Sequence, residues 1–223
     1  MDDFWDYLQI GILIAFTSLV LGRVIYERFH GINALALINN SGKQRVLGTA
    51  AVAIISLWVF ILVMRITHPE ISFVPWQLSY TMVSAYAARI TGLIFVIGGL
   101  VLYVNAWKIL GNAWRIGSDE KRHSSLVISG AYALSRNPIY VFYCLYFVGT
   151  FLMNGTSIFL ILAICLTITL HHLIIEEEKF LAARYGKEYK QYQSNTRRYF
   201  TFSKLLPHIS PSRNLRGTIK IEE

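Results

Sequence analysis

The sequence predicts an all-α, polytopic integral membrane protein of about five transmembrane helices, with a C-terminal helical hairpin and a helix on the cytosolic surface. Three observations predict it. Of the 223 residues 54% are hydrophobic and 15% charged, with a mean hydropathy of +0.45, against roughly 45–50% and 25% in soluble domains. Apolar runs that can cross a hydrocarbon core of about 30 Å recur along the chain. The basic residues, finally, divide very unequally between the connections that join those runs.

The first run, from about Tyr7 to Tyr26, follows Met1, Asp2 and Asp3 without a basic leader or a small-residue cleavage site, so it is expected to stay as an anchor. The second spans about Val46 to Ile66 and the third about Ile90 to Leu110. Gly92, Gly98 and Gly99 give the third a smooth face for close helix packing. A last apolar stretch begins after Pro138, breaks at Asn154-Gly155-Thr156-Ser157 and resumes to about Ile175, which is the pattern of a helical hairpin. Its first arm, Ile139 to Asn154, is 16 residues, about 24 Å of helix, and so a short span. Asn154-Gly155-Thr156 matches a glycosylation sequon by chance on a tight turn.

Of 21 Lys and Arg residues, only Arg65 and Arg89 flank the second connection; the other nineteen surround the first and third connections and the C-terminal region. The positive-inside rule then puts the N-terminus outside and the C-terminus in the cytosol, which requires an odd number of spans. Glu176 to about Gln193, dense in charges and aromatics, is expected to lie along the cytosolic surface. Ser203 to Glu223 loses apolar periodicity and reads as a cytosolic tail. One membrane domain is expected: two N-terminal spans over 1–89, a catalytic region over 90–202 and the tail over 203–223.

The formal charge of +8 suggests membrane lipids as its partner, not nucleic acid, because the basic residues lie beside membrane runs. Cys144 and Cys165 fall inside apolar runs and read as small core residues. The sequence offers no His/Cys ligand cluster for a metal, no phosphate-binding glycine loop and no serine nucleophile elbow.

Ionisable residues at a membrane boundary are costly unless paired or functional. Here they gather at the two ends of the hairpin: Ser129-Gly130-Ala131-Tyr132 through Arg136-Asn137-Pro138-Ile139-Tyr140 at its mouth, and Glu176-Glu177-Glu178 with Tyr185-Gly186, Tyr189 and Tyr192 at its exit. A hairpin returns its ends to one side of the membrane, so Arg136 and Asn137 are expected near Glu177 and Glu178, in a charged pocket at the lipid boundary. Singly, each residue has an ordinary reading as topology anchor, solvated face or aromatic belt.

The ordered set Gly130-x-Tyr132, Arg136-x-Pro138-x-Tyr140, Glu177-Glu178-x-x-Leu181 and Tyr185-Gly186-x-x-Tyr189-x-x-Tyr192 resembles the isoprenylcysteine carboxyl methyltransferase family and the related membrane phospholipid N-methyltransferases. The resemblance covers residues 90 to 202. It implies S-adenosyl-L-methionine as cofactor, bound by Gly130, Tyr132, Asn137, Pro138, Tyr140, Glu178 and Tyr189, with Arg136 and Glu177 as the catalytic pair facing the reacting groups. It also implies a lipophilic or lipid-attached acceptor, such as an isoprenylcysteine carboxylate, at the cytosolic face. Asn137 stands where many members have His, and His171 and His172 occupy positions expected to be basic or apolar.

Those residue types suit the chemistry. A sulfonium is stabilised by aromatic faces and carboxylates, and alignment supplies most of the acceleration. Arg136 would steer a carboxylate nucleophile, whereas an amine or thiol must also lose a proton. An NADPH-dependent reductase of the sterol type is the alternative enzyme, since Arg-x-Pro-x-Tyr occurs there too. A non-catalytic membrane partner that kept the fold is the alternative outside enzymes.

Overall fold

The computed structural model describes residues 2–29, 42–68, 71, 73–110 and 126–201. The tail read over 203–223, the polar loop around Asn39, and Arg115, Lys121 and Arg122 lie outside them. Six α-helices follow one another among the described residues: α1 (Asp2–Phe29), α2 (Gly42–Thr67), α3 (Tyr86–Leu110), the single turn α4 (Ala131–Leu134), α5 (Pro138–Asn154) and α6 (Ser157–Asn195). Four of them, α1, α2, α3 and α6, are long and apolar enough to cross a membrane. The fifth apolar helix, α5, has 17 residues, about 25 Å at the helical rise, and is the short arm expected from the sequence.

The short arm is the centre of the packing. Phe142, Tyr146, Phe147 and Met153 of α5 are all buried, with Trp58 of α2 and Phe159 of α6 against them. Phe16 of α1 and Tyr103 of α3 close the same aromatic cluster around Phe142. Around this core, Ile14, Leu21, Ile94, Val101, Ile164 and Ile168 are exposed, as lipid-facing residues should be.

Glycine explains how closely α3 meets α5. A Cβ on Gly149 would come within 2.6 Å of the Gly92 carbonyl oxygen, and one on Gly92 would strike the Gly149 carbonyl in return. Gly99 faces Phe142 in the same interface, but Gly98 meets nothing within 4 Å among the described residues, which use only part of the expected smooth face.

The helix directions put α1's start, α2's end, α3's start and the α5–α6 turn at one end of the bundle. There, Trp5 meets Tyr86 and Arg65 pairs with Asp6. The connection before α3 covers the α5–α6 turn: Met82 N–H donates to the Gly155 carbonyl at 2.7 Å and Ser157 N–H to that of Tyr80 at 2.9 Å. Asn154 of the sequon is buried there, its amide given to Gln9.

Two sequence expectations change in detail. The stretch expected as a separate surface helix from Glu176 is continuous with the last span, because nothing between Ile175 and Gly186 breaks a helix. Gly186, at φ 51° and ψ −116°, makes the break instead and re-aims the residues after it. Cys165 is exposed rather than a core residue, while Cys144 is half-buried.

Candidate active site

The hairpin mouth is shaped first by backbone. Gly130 caps α4 at φ 56°, a conformation that L side chains rarely adopt. Any Cβ there would also collide with Ile109 at the end of α3. Pro138 starts α5, where its missing N–H costs nothing. Asn137 does not cap that helix with its side chain, which leaves its amide for other work.

That work is Glu178. Its carboxylate, 4% exposed, receives Nε and Nη2 of Arg136 at 3.0–3.1 Å, Nε and Nη2 of Arg198 at 2.9–3.1 Å, and the Asn137 amide at 3.1 Å. Arg136 donates its remaining nitrogen, Nη1, to the carbonyls of Gln193 and Thr196. All three guanidinium nitrogens are therefore committed. A buried carboxylate is tolerable only when paired and hydrogen-bonded in this way. Glu178 in turn holds the Arg198 proton more firmly than usual, chiefly through these hydrogen bonds.

The same bonds fix a C-terminal strap. Arg136 N–H donates to the Arg197 carbonyl at 3.1 Å and Thr201 N–H to that of Leu134 at 2.8 Å. The Ser135 hydroxyl and the Asn137 amide both reach the Arg198 carbonyl. After the Gly186 break, Tyr192 donates its hydroxyl to the Tyr132 carbonyl at 2.6 Å. Residues 196–201 thus cross over the entrance of α5.

Glu177 points elsewhere. It accepts the Tyr140 hydroxyl at 2.7 Å, and among the described residues this is the hydrogen bond it is seen to make. The Tyr132 phenol is pushed well above its usual pKa by burial first and by the nearby Glu177 carboxylate second. It stays protonated at any physiological pH. Tyr189, 1% exposed, packs against Tyr192; its hydroxyl lies close to Arg136 yet finds no hydrogen bond of acceptable geometry.

The structure thus brings Arg136 and Asn137 to Glu178 and Tyr132 and Tyr140 to Glu177, whereas Glu176 of the same run turns away to Lys43 and Lys179. Pro138 and Gly130 shape the backbone of the hairpin mouth, and Tyr189 roofs it. Sequence reasoning missed Arg198, the third leg of the Glu178 hub, and Ser135. The signal for Arg198 was a basic pair, Arg197-Arg198, directly before the aromatic pair Tyr199-Phe200.

Chemically, the arrangement holds one closed ion cluster beside one carboxylate in an aromatic setting. Among the described residues no group of three or more His, Cys, Asp or Glu is placed to hold a metal. Comparison with curated proteins finds no match. Residues 87–188 match the family model described as phospholipid methyltransferase, which places this stretch, from α3 to just past the Gly186 break, in a membrane methyltransferase family of the isoprenylcysteine carboxyl and phospholipid methyltransferase type.

Proposed function

We propose that the protein is an S-adenosyl-L-methionine-dependent methyltransferase whose acceptor is an amine carried on a lipid, and that the Glu177 end of the bundle faces the cytosol. The observation that carries this reading is the contrast between two adjacent carboxylates: Glu178 is closed by two guanidinium groups, while Glu177 has Tyr140. The topology rests on nineteen of 21 basic residues flanking the connections and the C-terminal region at that end. The two N-terminal spans and residues 90–202 act as one membrane unit.

The residues present fit the cofactor. Tyr189 has a buried hydroxyl that lies beside Arg136 and makes no well-formed hydrogen bond among the described residues, and Tyr132, Tyr140 and Glu177 supply aromatic faces and a negative charge of the kind a sulfonium prefers. Gly130, Asn137, Pro138 and Glu178 shape the pocket around them. When bound, the cofactor supplies an electrophilic methyl group. Glu177 does two things for an amine acceptor: it attracts the ammonium form and takes its proton, so that the nitrogen lone pair is free to form the new N–C bond. Tyr140 keeps that carboxylate aimed. Arg136 acts as a positioning residue, because its nitrogens are all spent on Glu178 and the strap.

That commitment favours an amine over the carboxylate of an isoprenylcysteine, which would need a free cation to steer it. Titrating detergent-purified protein with S-adenosylmethionine and NADPH, then supplying labelled cofactor with phosphatidylethanolamine vesicles or a farnesylcysteine, tests the reading. Cofactor binding with label in the amine lipid is expected. Label in the farnesylcysteine alone would restore the carboxylate acceptor, NADPH binding alone would indicate the reductase, and binding of neither would indicate a non-catalytic partner.

A further inference from the structure

His171 and Tyr199 form a polar pair outside the cluster just described. His171 lies on the apolar part of α6, seven residues before Glu178, which is nearly two full turns and about 10.5 Å along the axis, on the same side of the helix. Its Nδ1 is hydrogen-bonded to the Tyr199 hydroxyl, and the two rings stack at 25°. Tyr199 hangs from the strap and is 41% exposed. His171 is half-buried and Tyr199 exposed where the apolar part of α6 meets the strap, and a polar pair at that boundary calls for a partner there.

The surroundings say which. Ile164 and Ile168, 50% and 54% exposed, precede His171 at helical spacing and continue its face of α6 away from the strap. Above the pair sits Arg198, whose Nε and Nη2 are on Glu178 while Nη1 lies outside that pairing. Arg197 beside it is exposed. Where Nδ1 of His171 accepts the hydrogen bond of the phenol, the imidazole's own proton is on Nε2, a donor outside the pair. Donors and positive charge at the top of an apolar lane match an anionic phosphate above an acyl chain.

We infer that the His171–Tyr199 pair, with Arg198 above it and the Ile164–Ile168 lane below, is a binding site for a bilayer glycerophospholipid, held by its phosphodiester. The site is separate from Glu177 and does not depend on the protein's being a methyltransferase. A lipid bound there adds a hold on the strap that crosses Glu178.

The test uses full-length protein in detergent and a short-chain phosphatidylglycerol carrying a photoreactive diazirine, with labelled peptides mapped by mass spectrometry. Label is expected in the peptides holding Ile164–His172 and Tyr199, competed by unlabelled phosphatidylglycerol but not by diacylglycerol or glycerol phosphate. Tyr199→Phe keeps the ring stack and removes the hydroxyl; it and His171→Leu should each cut that labelling at least fivefold in protein that remains monodisperse on gel filtration. Unchanged labelling in monodisperse Tyr199→Phe, equal competition by diacylglycerol, or label spread over the exposed faces of α1 and α3 would overturn the site. Because no methyl transfer is read, failure of this inference is distinct from failure of the proposed activity.

Discussion

Two buried polar networks sit at opposite ends of α5, and they are built to different ends. At the far end, Asn154 gives its amide to Gln9 at 2.6 Å and accepts from Arg65, which pairs with Asp6 at 3.2 Å. Each of those four side chains has a partner, and together they tie α1 and α2 to the family region. At the hairpin mouth the Glu178 hub is just as closed, yet next to it Glu177 and Tyr189 keep hydrogen-bonding capacity in reserve. The comparison separates polar residues that hold the bundle together from those left available for a ligand.

The largest effect should come from opening the hub. Glu178→Ala strands Arg136, whose side chain is 10% exposed, and losing one partner of a buried pair costs about 3–5 kcal/mol. We expect loss of the strap, of cofactor binding and of much of the folded yield, read by thermal unfolding in detergent. A variant that melts with the wild type would mean that the hub holds nothing.

Glu177→Gln sharpens the contrast from the other side. The amide oxygen can still accept from Tyr140, so the loss of stability should stay below the about 3–5 kcal/mol expected of Glu178→Ala, while methyl transfer should fall by roughly 100-fold or more as proton acceptance is lost. Equal loss of stability and activity would erase the distinction between the two carboxylates. Asn154→Leu should do the opposite: it leaves Gln9 and Arg65 short of a partner, at about 1–3 kcal/mol, but the folded fraction should keep its wild-type turnover and cofactor affinity.

The distribution of what the sequence disclosed follows from chain distance. Arg136 and Asn137 meeting Glu178 was legible because a hairpin of fixed topology must return its mouth and exit to one side. The short α5 was legible from its length, though not its central position, which comes from Gly92 facing Gly149 across two helices. The Gln9–Asn154 contact joins residues 145 apart, and no periodicity signals a partner at that range. Arg198 was hidden for a related reason: its pairing depends on the left-handed conformation at Gly186, which turns the chain back, and composition alone does not give that angle. The first two spans looked detached from the family pattern for the same reason, since what joins them to it is tertiary.

Tyr140→Phe is the smaller test of the open carboxylate. Removing the one hydroxyl seen to aim Glu177 should lower turnover roughly tenfold, the usual effect of one hydrogen bond to a charged group, with little change in cofactor affinity. A loss of affinity without a loss of turnover would mean that the Tyr140 hydroxyl serves the cofactor and not the aim of Glu177.

The smallest effect should belong to the third glutamate of the same run. Successive helical residues point about 100° apart, so Glu176, Glu177 and Glu178 meet three different environments. Glu176 bridges Lys43 and Lys179, whose side chains are 62% and 65% exposed, and water can replace such partners. Glu176→Ala should therefore leave turnover within about twofold of wild type, as expected for a solvent-screened pair. A drop as large as that of Glu177→Gln would show that anchoring α2 through Lys43 matters to the chemistry, and that the N-terminal spans reach the site from its own end of the bundle as well as from the far one.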